Sequence, residues 1–482
     1  MLSSIFIKHL TQWSVPTVME TVAKAAIMAL AAYILPKSDF GILTLVMLIY
    51  SYHPYLQLGI LDGLIIKLPG YFVQGRIEKI CSSLGLTLSF SLSVIVLSIL
   101  FGITFSIVNG QYNRTVLVCG IYLLTAIPYT IYNHYLLLNR YTYDLKTTFI
   151  ARSFNAGLRL FFQAPLIYFY GIYGLAIGEV LIYVISTALL LHSSKIHVRP
   201  NLNLQNLKDY LIFGVPVWAL SFLGLVSFTL ERSISAYYFD LRSVADIGLL
   251  AFFGALFIQT NGQILSLFSQ YSREFFVKER DTVTLMGAYM VYLQGSIFAY
   301  ITAASFFYGI MAFFIIPEYL SKYLSVITLL PIVYAIFLAR ILLSVLFNLL
   351  LVIGDRKNLF IGHAVFLVGT IFVLLSYHTF SEFTLTVLLV SILAGTFLEF
   401  VFLLTVCVLK SKNWVMGVWL FVTTVTSCSL PIYFFMQGLD SWFFMGFASL
   451  VIWLMIAISF LQAKKSREGW RHFRSIVQKK FL

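Results

Sequence analysis

The stretch Arg152-Ser153-Phe154-Asn155-Ala156-Gly157-Leu158-Arg159-Leu160-Phe161-Phe162-Gln163 decides the fold. It lies inside a run from 147 to 169 that is otherwise largely apolar. That run is long enough, at about 20 residues, to cross a bilayer as one helix. Arg152, Asn155, Arg159 and Gln163 are spaced by 3, 4 and 4, so all four share one helical face. Phe154, Leu158, Phe161 and Phe162 cover the rest. Arg159 sits near mid-span, where it does not easily snorkel to water. Such a helix belongs in a membrane, with its polar stripe turned to protein or to a water-filled cavity.

The chain around it agrees. Of its 482 residues 60% are apolar and 11% charged, against roughly 25% charged in a soluble domain. This excludes a soluble enzyme, a disordered chain and a collagen-like fibre. Apolar runs predict an all-α polytopic membrane protein with about 14 spans: 14–35, 39–61, 80–108, 115–138, 147–169, 171–192, 210–230, 245–269, 283–316, 324–350, 359–376, 383–409, 414–435 and 438–462. The breaks read as turns: Leu35-Pro36-Lys37-Ser38-Asp39, Asn109-Gly110, Tyr170-Gly171, Gly354-Asp355-Arg356-Lys357-Asn358 and the weaker Ser376 to Glu382. The connectors leave no room for a soluble domain. The first apolar stretch holds Glu20 and Lys24 and is read as a span, not a signal peptide. Cys81, Cys119, Cys407 and Cys428 fall inside apolar segments without CxxC spacing, so they read as buried hydrophobes, with neither disulfide nor metal expected.

A net charge of +13 would point to nucleic acid in a soluble protein. Here it follows from loops rich in Lys and Arg, and no nucleic acid is expected. With the N-terminus inside, the inside loops and tails carry about 23 of the 32 cations. An even number of spans then puts both termini in the cytoplasm. The basic tail, with Trp470, Phe473 and Ile476 among its cations, suits anionic lipid as an amphipathic helix or serves as a plain stop-transfer tail.

Two halves read alike. Ser14-Val15-Pro16 and Gly214-Val215-Pro216 lie 200 residues apart. Asp39-Phe40-Gly41-Ile42 opens span 2, and Asp246-Ile247-Gly248-Leu249 opens span 8. Glu179 and Glu399 fall in spans 6 and 12. Six spans separate each pair, so the halves share an orientation, a plan known from transporters with substrate between parallel repeats. The expected organisation is a six-helix bundle over 1–195, a second over 196–410 in pseudo-twofold arrangement, an extra helix pair over 411–462 and the tail 463–482.

Other spans carry polar faces. Thr17, Glu20, Thr21 and Lys24 share one, with Glu20 and Lys24 four apart and able to pair. Arg340, Ser344 and Asn348 share another, and Gln259, Gln263, Ser266 and Gln270 a third. These stripes either glue helices together or line a cavity. A cation at a helix centre costs about 2.5 to 3.5 kcal/mol, and two on one face attract a shared anion. Glu179 and Glu399 are expected to meet hydroxyls or amides. His53, His134 and His363 stand alone, without ligand spacing for a metal. Most tyrosines around spans 4 to 6 read as interface anchors. A cationic cavity suits an anionic substrate, and guanidinium suits phosphate through its planar fork.

Leu58-Gly59-Ile60-Leu61-Asp62-Gly63-Leu64 running into Lys67-Leu68-Pro69-Gly70-Tyr71 resembles the span 2–3 loop of polysaccharide flippases. Leu207-Lys208 with Phe213-Gly214-Val215-Pro216 resembles the start of their span 7, and Ser235-Ala236-Tyr237-Tyr238-Phe239 before Asp246-Ile247-Gly248-Leu249-Leu250 their link to span 8. The family is the O-antigen and polysaccharide flippases (Wzx type) of the MATE/oligosaccharidyl-lipid/polysaccharide (MOP) superfamily. Span count and loop lengths fit over about the first 410 residues.

The resemblance implies two six-helix bundles around a central cavity in a bacterial inner membrane. It implies an undecaprenyl-pyrophosphate-linked oligosaccharide, moved from the cytoplasmic to the periplasmic leaflet by alternating access coupled to an ion or to the membrane potential. It implies no enzyme activity and no cofactor. Expected partners are the lipid-linked oligosaccharide, membrane lipid and a neighbouring polysaccharide polymerase or glycosyltransferases, with the chain itself a monomer. By helix and face, the family's cavity cations match Lys24, Arg152, Arg159 and Arg340, while span 7 departs from the pattern in lacking a central charge. On this reading Arg152 and Arg159 take the diphosphate, with Lys24 and Arg340 opposite. Thr17, Asn155, Gln163, Gln259, Gln263 and Asn348 line the cavity. Glu20, when protonated, releases Lys24. Arg159→Ala is then expected to stop transport at normal expression. Two other readings stay open: a MATE-like drug or cation exporter, which wants acids in its cavity, and a polysaccharide polymerase or ligase, which wants a large outer loop with catalytic residues.

Overall fold

The computed structural model describes residues 4–411 apart from 109–112, 143, 195, 197, 202–203, 280–281 and 379–382, together with 418, 421, 422, 424 and 425. The expected spans 414–435 and 438–462, the tail 463–482, Cys428 and the Asn109-Gly110 turn lie outside the described residues. The described chain is helical, with no strand. That is the outcome hydrocarbon demands, since a helix satisfies its own backbone N–H and C=O groups. Its α-helices are α1 (Ser4–Ile34), α2 (Lys37–Ser51), α3 (Ile60–Val73), α4 (Ile77–Val108), α5 (Arg114–Leu124), α6 (Ala126–Tyr141), α7 (Leu145–Leu158), α8 (Ala164–Ser193), α9 (Leu204–Tyr238), α10 (Leu241–Glu279), α11 (Thr282–Ile310), α12 (Leu330–Val352), α13 (Arg356–His378) and α14 (Leu385–Ser411).

Nine helical stretches among the described residues are long and apolar enough to cross a membrane. One of them, Leu145–Ser193, is two crossings. The expected turn at Tyr170-Gly171 breaks it: Gly171 has φ +59°, a conformation glycine adopts without a Cβ clash. The chain doubles back there, and the backbone of Gly174 comes so close to the Leu166 carbonyl that no Cβ fits. The apolar face of this hairpin is turned outward for lipid, with Phe161 84% exposed.

Four expected spans are built from pieces. Span 2 does not end at 61: α2 stops at Ser51, a short 3-10 turn follows at His53–Gln57, and α3 continues as helix to Val73. The Leu58–Tyr71 stretch, expected as a loop, is therefore mostly helix. Lys67, which argued for a loop, is accommodated on the flank of α9, with its amine 5.0 Å from the Tyr210 ring centre, 4.9 Å from that of Phe213, and 3.7 Å from Asp209. Span 4 is α5 and α6, joined at Thr125, with Asn113 capping the first through Val116 N–H at 2.9 Å. Span 9 ends in a π-helical segment, Met311–Tyr319, and span 10 begins in a 3-10 segment, Ser321–Leu329.

Contacts divide the described residues into two compact units, one over Ile7–Gly248 and one formed by the described residues from Leu249 onward with the few before Ile7. In the first unit α3 lies along α9. Gly59 and Gly63 meet Gly214 and the Tyr210 carbonyl at backbone distance. Lipid supplies no hydrophobic drive between helices, so this close approach is how two of them gain packing energy. The matching motifs at Asp39 and Asp246 come together at the start of α2. Gly41 abuts the Leu241 carbonyl and Gly248 abuts Thr44. Lys37 reaches Asp246 at 2.7 Å, and Arg114 grips both oxygens of Asp39 at 2.9 Å. In the second unit α13 packs on α14 and α12, with Gly395 against the Phe366 carbonyl and Thr370.

Candidate functional site

The polar stripe of α7 is buried in the first unit. Its last turn is a π-helical segment, Arg159–Gln163, a local widening often found at functional positions. Through it Arg159 and Gln163 reach the same partner on α8. Arg159 donates to both oxygens of Glu179, at 2.6 and 2.9 Å, and Gln163 adds its amide N–H to one of them at 3.1 Å. Arg159 Nε donates to Asn155 Oδ1 at 3.0 Å, and Asn155 donates to Ser186 at 3.1 Å. The guanidinium lies 5.3 Å from the Tyr183 ring centre. Such bidentate, amide-supported geometry is what offsets the cost of burying two charges.

The stripe of α1 joins this face. Arg152 donates to the Thr17 hydroxyl and sits 4.6 Å from the Trp13 ring centre. Thr17 and Thr21 pass their own protons to carbonyls one turn back. Glu20 and Lys24 pair at 3.1 Å, and Glu20 is within electrostatic reach of Arg152 and Arg159. Lys24 keeps about a third of its side chain accessible, 31%, against 3% for Arg159. The first unit thus gathers Lys24, Arg152 and Arg159 around Glu20 and Glu179. The face carries net positive charge, and Lys24 is its most open cation.

Two expectations change here. The shared anion of the arginine face is in part the protein's own: Glu179 meets a guanidinium as well as an amide. The hairpin explains it, since folding the chain at Gly171 brings Arg159 and Glu179 to similar depth. Glu399 likewise meets His363, at 2.7 Å, in place of a hydroxyl or amide. The tyrosines divide: Tyr168 and Tyr170 are exposed near the hairpin, while Tyr132, Tyr135 and Tyr183 are buried.

The remaining expected residues belong to the second unit. Arg340 is buried on α12, 5.4 Å from the Phe337 ring centre. Asn348 donates to the Ser344 carbonyl of its own helix at 3.1 Å. The glutamine stripe of α10 shares no single environment: Gln259 is exposed, Gln263 half-buried and Gln270 buried. The polar centre among those helices is Asn261, which the stripe did not include. It donates to Ser344 at 3.2 Å and accepts from Tyr292 and Ser296 at 3.2 and 3.1 Å. Its signal was position, directly before Gly262 and Gln263 on a helix whose neighbours also carry hydroxyls.

No protein-family model and no curated relative matches the sequence. Solved structures do. One is an outward-facing multidrug resistance MATE family transporter of the MOP superfamily, at 14% identity over 84% of this chain and 96% of that one, TM-score 0.62. Another is a MATE transporter in complex with MaD5, at 16% identity over 84% and 96%, TM-score 0.64. A third is a point mutant of the Vibrio cholerae MATE transporter VcmN, at 14% identity over 85% and 98%, TM-score 0.62. This chain is an all-helical, multi-pass membrane protein with the fold of the MATE transporters of the MOP superfamily.

Proposed function

We propose that the protein is a flippase for an undecaprenyl-pyrophosphate-linked oligosaccharide, an O-antigen or other surface polysaccharide repeat. It carries this lipid from the cytoplasmic to the periplasmic leaflet of a bacterial inner membrane, with both termini cytoplasmic. The observation that carries the reading is the net cationic face formed by Lys24, Arg152 and Arg159 around two carboxylates, deep in a membrane-spanning unit. A diphosphate crossing low dielectric unpaired would cost many kcal/mol, and an accessible lysine backed by arginines offsets that. Arg340 is carried in the same proposal as the cation of the second unit. The polyprenyl tail stays in lipid. Two six-helix bundles, 1–195 and 196–410, remain the proposed organisation for alternating access, and polymerase or glycosyltransferase neighbours the proposed partners.

One observation favours a second reading. Glu20 and Glu179 sit among the cations, and the solved neighbours include multidrug resistance transporters. A cation exporter would use those acids. The test is where the glycolipid accumulates. Cells lacking the protein should build up the lipid-linked oligosaccharide in the cytoplasmic leaflet, cured by the wild type and not by Lys24→Gln. Normal glycolipid export with new drug sensitivity would decide for the exporter.

A further inference from the structure

The helical run from α2 to α3 is interrupted halfway. After the 3-10 turn at His53–Gln57 the chain passes through two left-handed residues, Leu58 (φ 51°) and Gly59 (φ 78°). In hydrocarbon an unwound segment persists only where protein receives it or where it borders a wet cavity. Both occur here. Trp218 of α9 donates its indole N–H to the Tyr55 carbonyl at 2.8 Å. The segment also walls a cavity of about 410 Å³, completed by α6 and α9. This size falls in the range of small-molecule sites, and broken helices at mid-membrane are where transporters place ligand groups.

The chemistry of the wall is specific. His53 and His134 line the cavity, each with Nδ1 against a backbone carbonyl, of Tyr50 at 2.7 Å and Thr130 at 2.8 Å. A carbonyl only accepts, so each Nδ1 carries the proton and each Nε2 offers a lone pair. His134 is 1% exposed, and its Nε2 has no hydrogen-bond partner in the protein; the Thr130 hydroxyl beside it has none either. Asp62 adds a carboxylate, and Gln57 and Asn133 add amides. Among the described residues no lysine or arginine lines the cavity, which does not suit phosphate. Among the described residues no three of His, Cys, Asp and Glu are placed to hold a metal ion.

Imidazole lone pairs and a carboxylate ask for hydroxyl donors. Amides answer in both directions, and the rings of Tyr55 and Tyr129 offer apolar faces. We infer that this cavity binds a sugar ring, the uncharged mono- or disaccharide end of the transported lipid. The attachment to lipid rests on the flippase reading; the cavity is a separate place from the cationic face. Tyr129 joins the two, since its ring packs edge-on against Tyr183 at 5.0 Å, and Tyr183 in turn carries the Arg159 guanidinium.

The test is saturation-transfer NMR on the full-length protein in nanodiscs with free glucose, N-acetylglucosamine and rhamnose. Transfer to ring protons of at least one sugar is expected. It should fall by about fivefold or more in His134→Leu and in Asn133→Leu, which remove hydrogen-bonding atoms from the wall. Phe372→Ala, on the lipid-facing side of α13, should leave it unchanged. No transfer from wild type, or transfer that survives both cavity variants, overturns the inference, as does displacement of the sugar by an equal concentration of tetraphenylphosphonium. Melting curves accompany each variant, and if His134→Leu does not melt cooperatively, Asn133→Leu decides. Sugar binding alongside normal leaflet distribution in the deletion strain would sink the flippase reading alone. Leaflet build-up without sugar binding would sink the cavity assignment alone.

Discussion

Arg159 and Glu179 meet through two parallel hydrogen bonds, 2.6 and 2.9 Å, from guanidinium to carboxylate, both side chains almost wholly buried. Removing one partner leaves the other charge uncompensated, which typically costs about 3–5 kcal/mol. Arg159→Ala is therefore expected to lower the melting temperature and the yield, contrary to the normal expression that the sequence led us to expect. Arg159→Met with Glu179→Leu removes both charges at similar volume and should recover most of that stability. A double variant that melts like the wild type yet fails in the leaflet assay would assign the charge to transport. A double variant that transports normally would make the pair structural.

Glu20 and Lys24 make the more adaptable pair, one turn apart and with Lys24 partly accessible. Protonation of Glu20 would release Lys24 toward an incoming diphosphate, and deprotonation would recapture it. Glu20→Gln fixes the released state, so transport should persist at a reduced rate without responding to a pH gradient. Flux measured in vesicles with and without an imposed gradient checks this. An unchanged response to the gradient removes Glu20 from coupling.

The helical class, the α7 stripe and the turn at Gly171 were legible because each follows from local pattern: hydropathy, a 3.6-residue period, a glycine between apolar runs. The partners were harder to read. Arg159 and Glu179 are 20 residues apart, and their meeting depends on how the hairpin folds and on a π-helical turn that shifts the phase of α7. The break after Ser51 was hidden for a related reason. Pro54 and Gly59 sit in an apolar run that also reads as one continuous span, and only packing on α9 shows a second helix, α3, running on past it. The cavity histidines looked solitary because α2 and α6 are about 80 residues apart in sequence.

Asp355, between α12 and α13, gives a pH prediction outside the membrane. Burial alone would raise its pKa, but Lys410 at 2.6 Å and the side-chain and backbone N–H groups of Asn358 more than offset this and hold the carboxyl below its usual range. A carboxyl whose folded pKa is depressed stabilises the fold above its unfolded pKa, about 3.9, and loses that contribution as pH falls through the folded value. The melting temperature of wild type should exceed that of Asp355→Asn by a constant amount above about pH 5, and the gap should close in more acidic buffer. Salt should narrow it too, because Lys410 is partly exposed. A gap independent of pH would show that the asparagine variant loses packing and no charge pairing.

The α3–α9 crossing makes a steric prediction that separates three glycines on one helix or at its start. Gly59 has φ +78°, and a Cβ there would meet Gly214 and Trp218. Gly63 has an ordinary helical backbone, but a Cβ there would run into the Tyr210 carbonyl. Gly70 has nothing near. Alanine at 59 therefore incurs a backbone cost of about 1–2 kcal/mol and an overpacking cost of about 1–3 kcal/mol. At 63 only the second applies, and at 70 the helix gains about 0.5–1 kcal/mol in propensity. Melting temperatures should fall most for Gly59→Ala, less for Gly63→Ala, and hold or rise for Gly70→Ala. Equal stability of all three variants would mean that α3 and α9 do not approach at backbone distance.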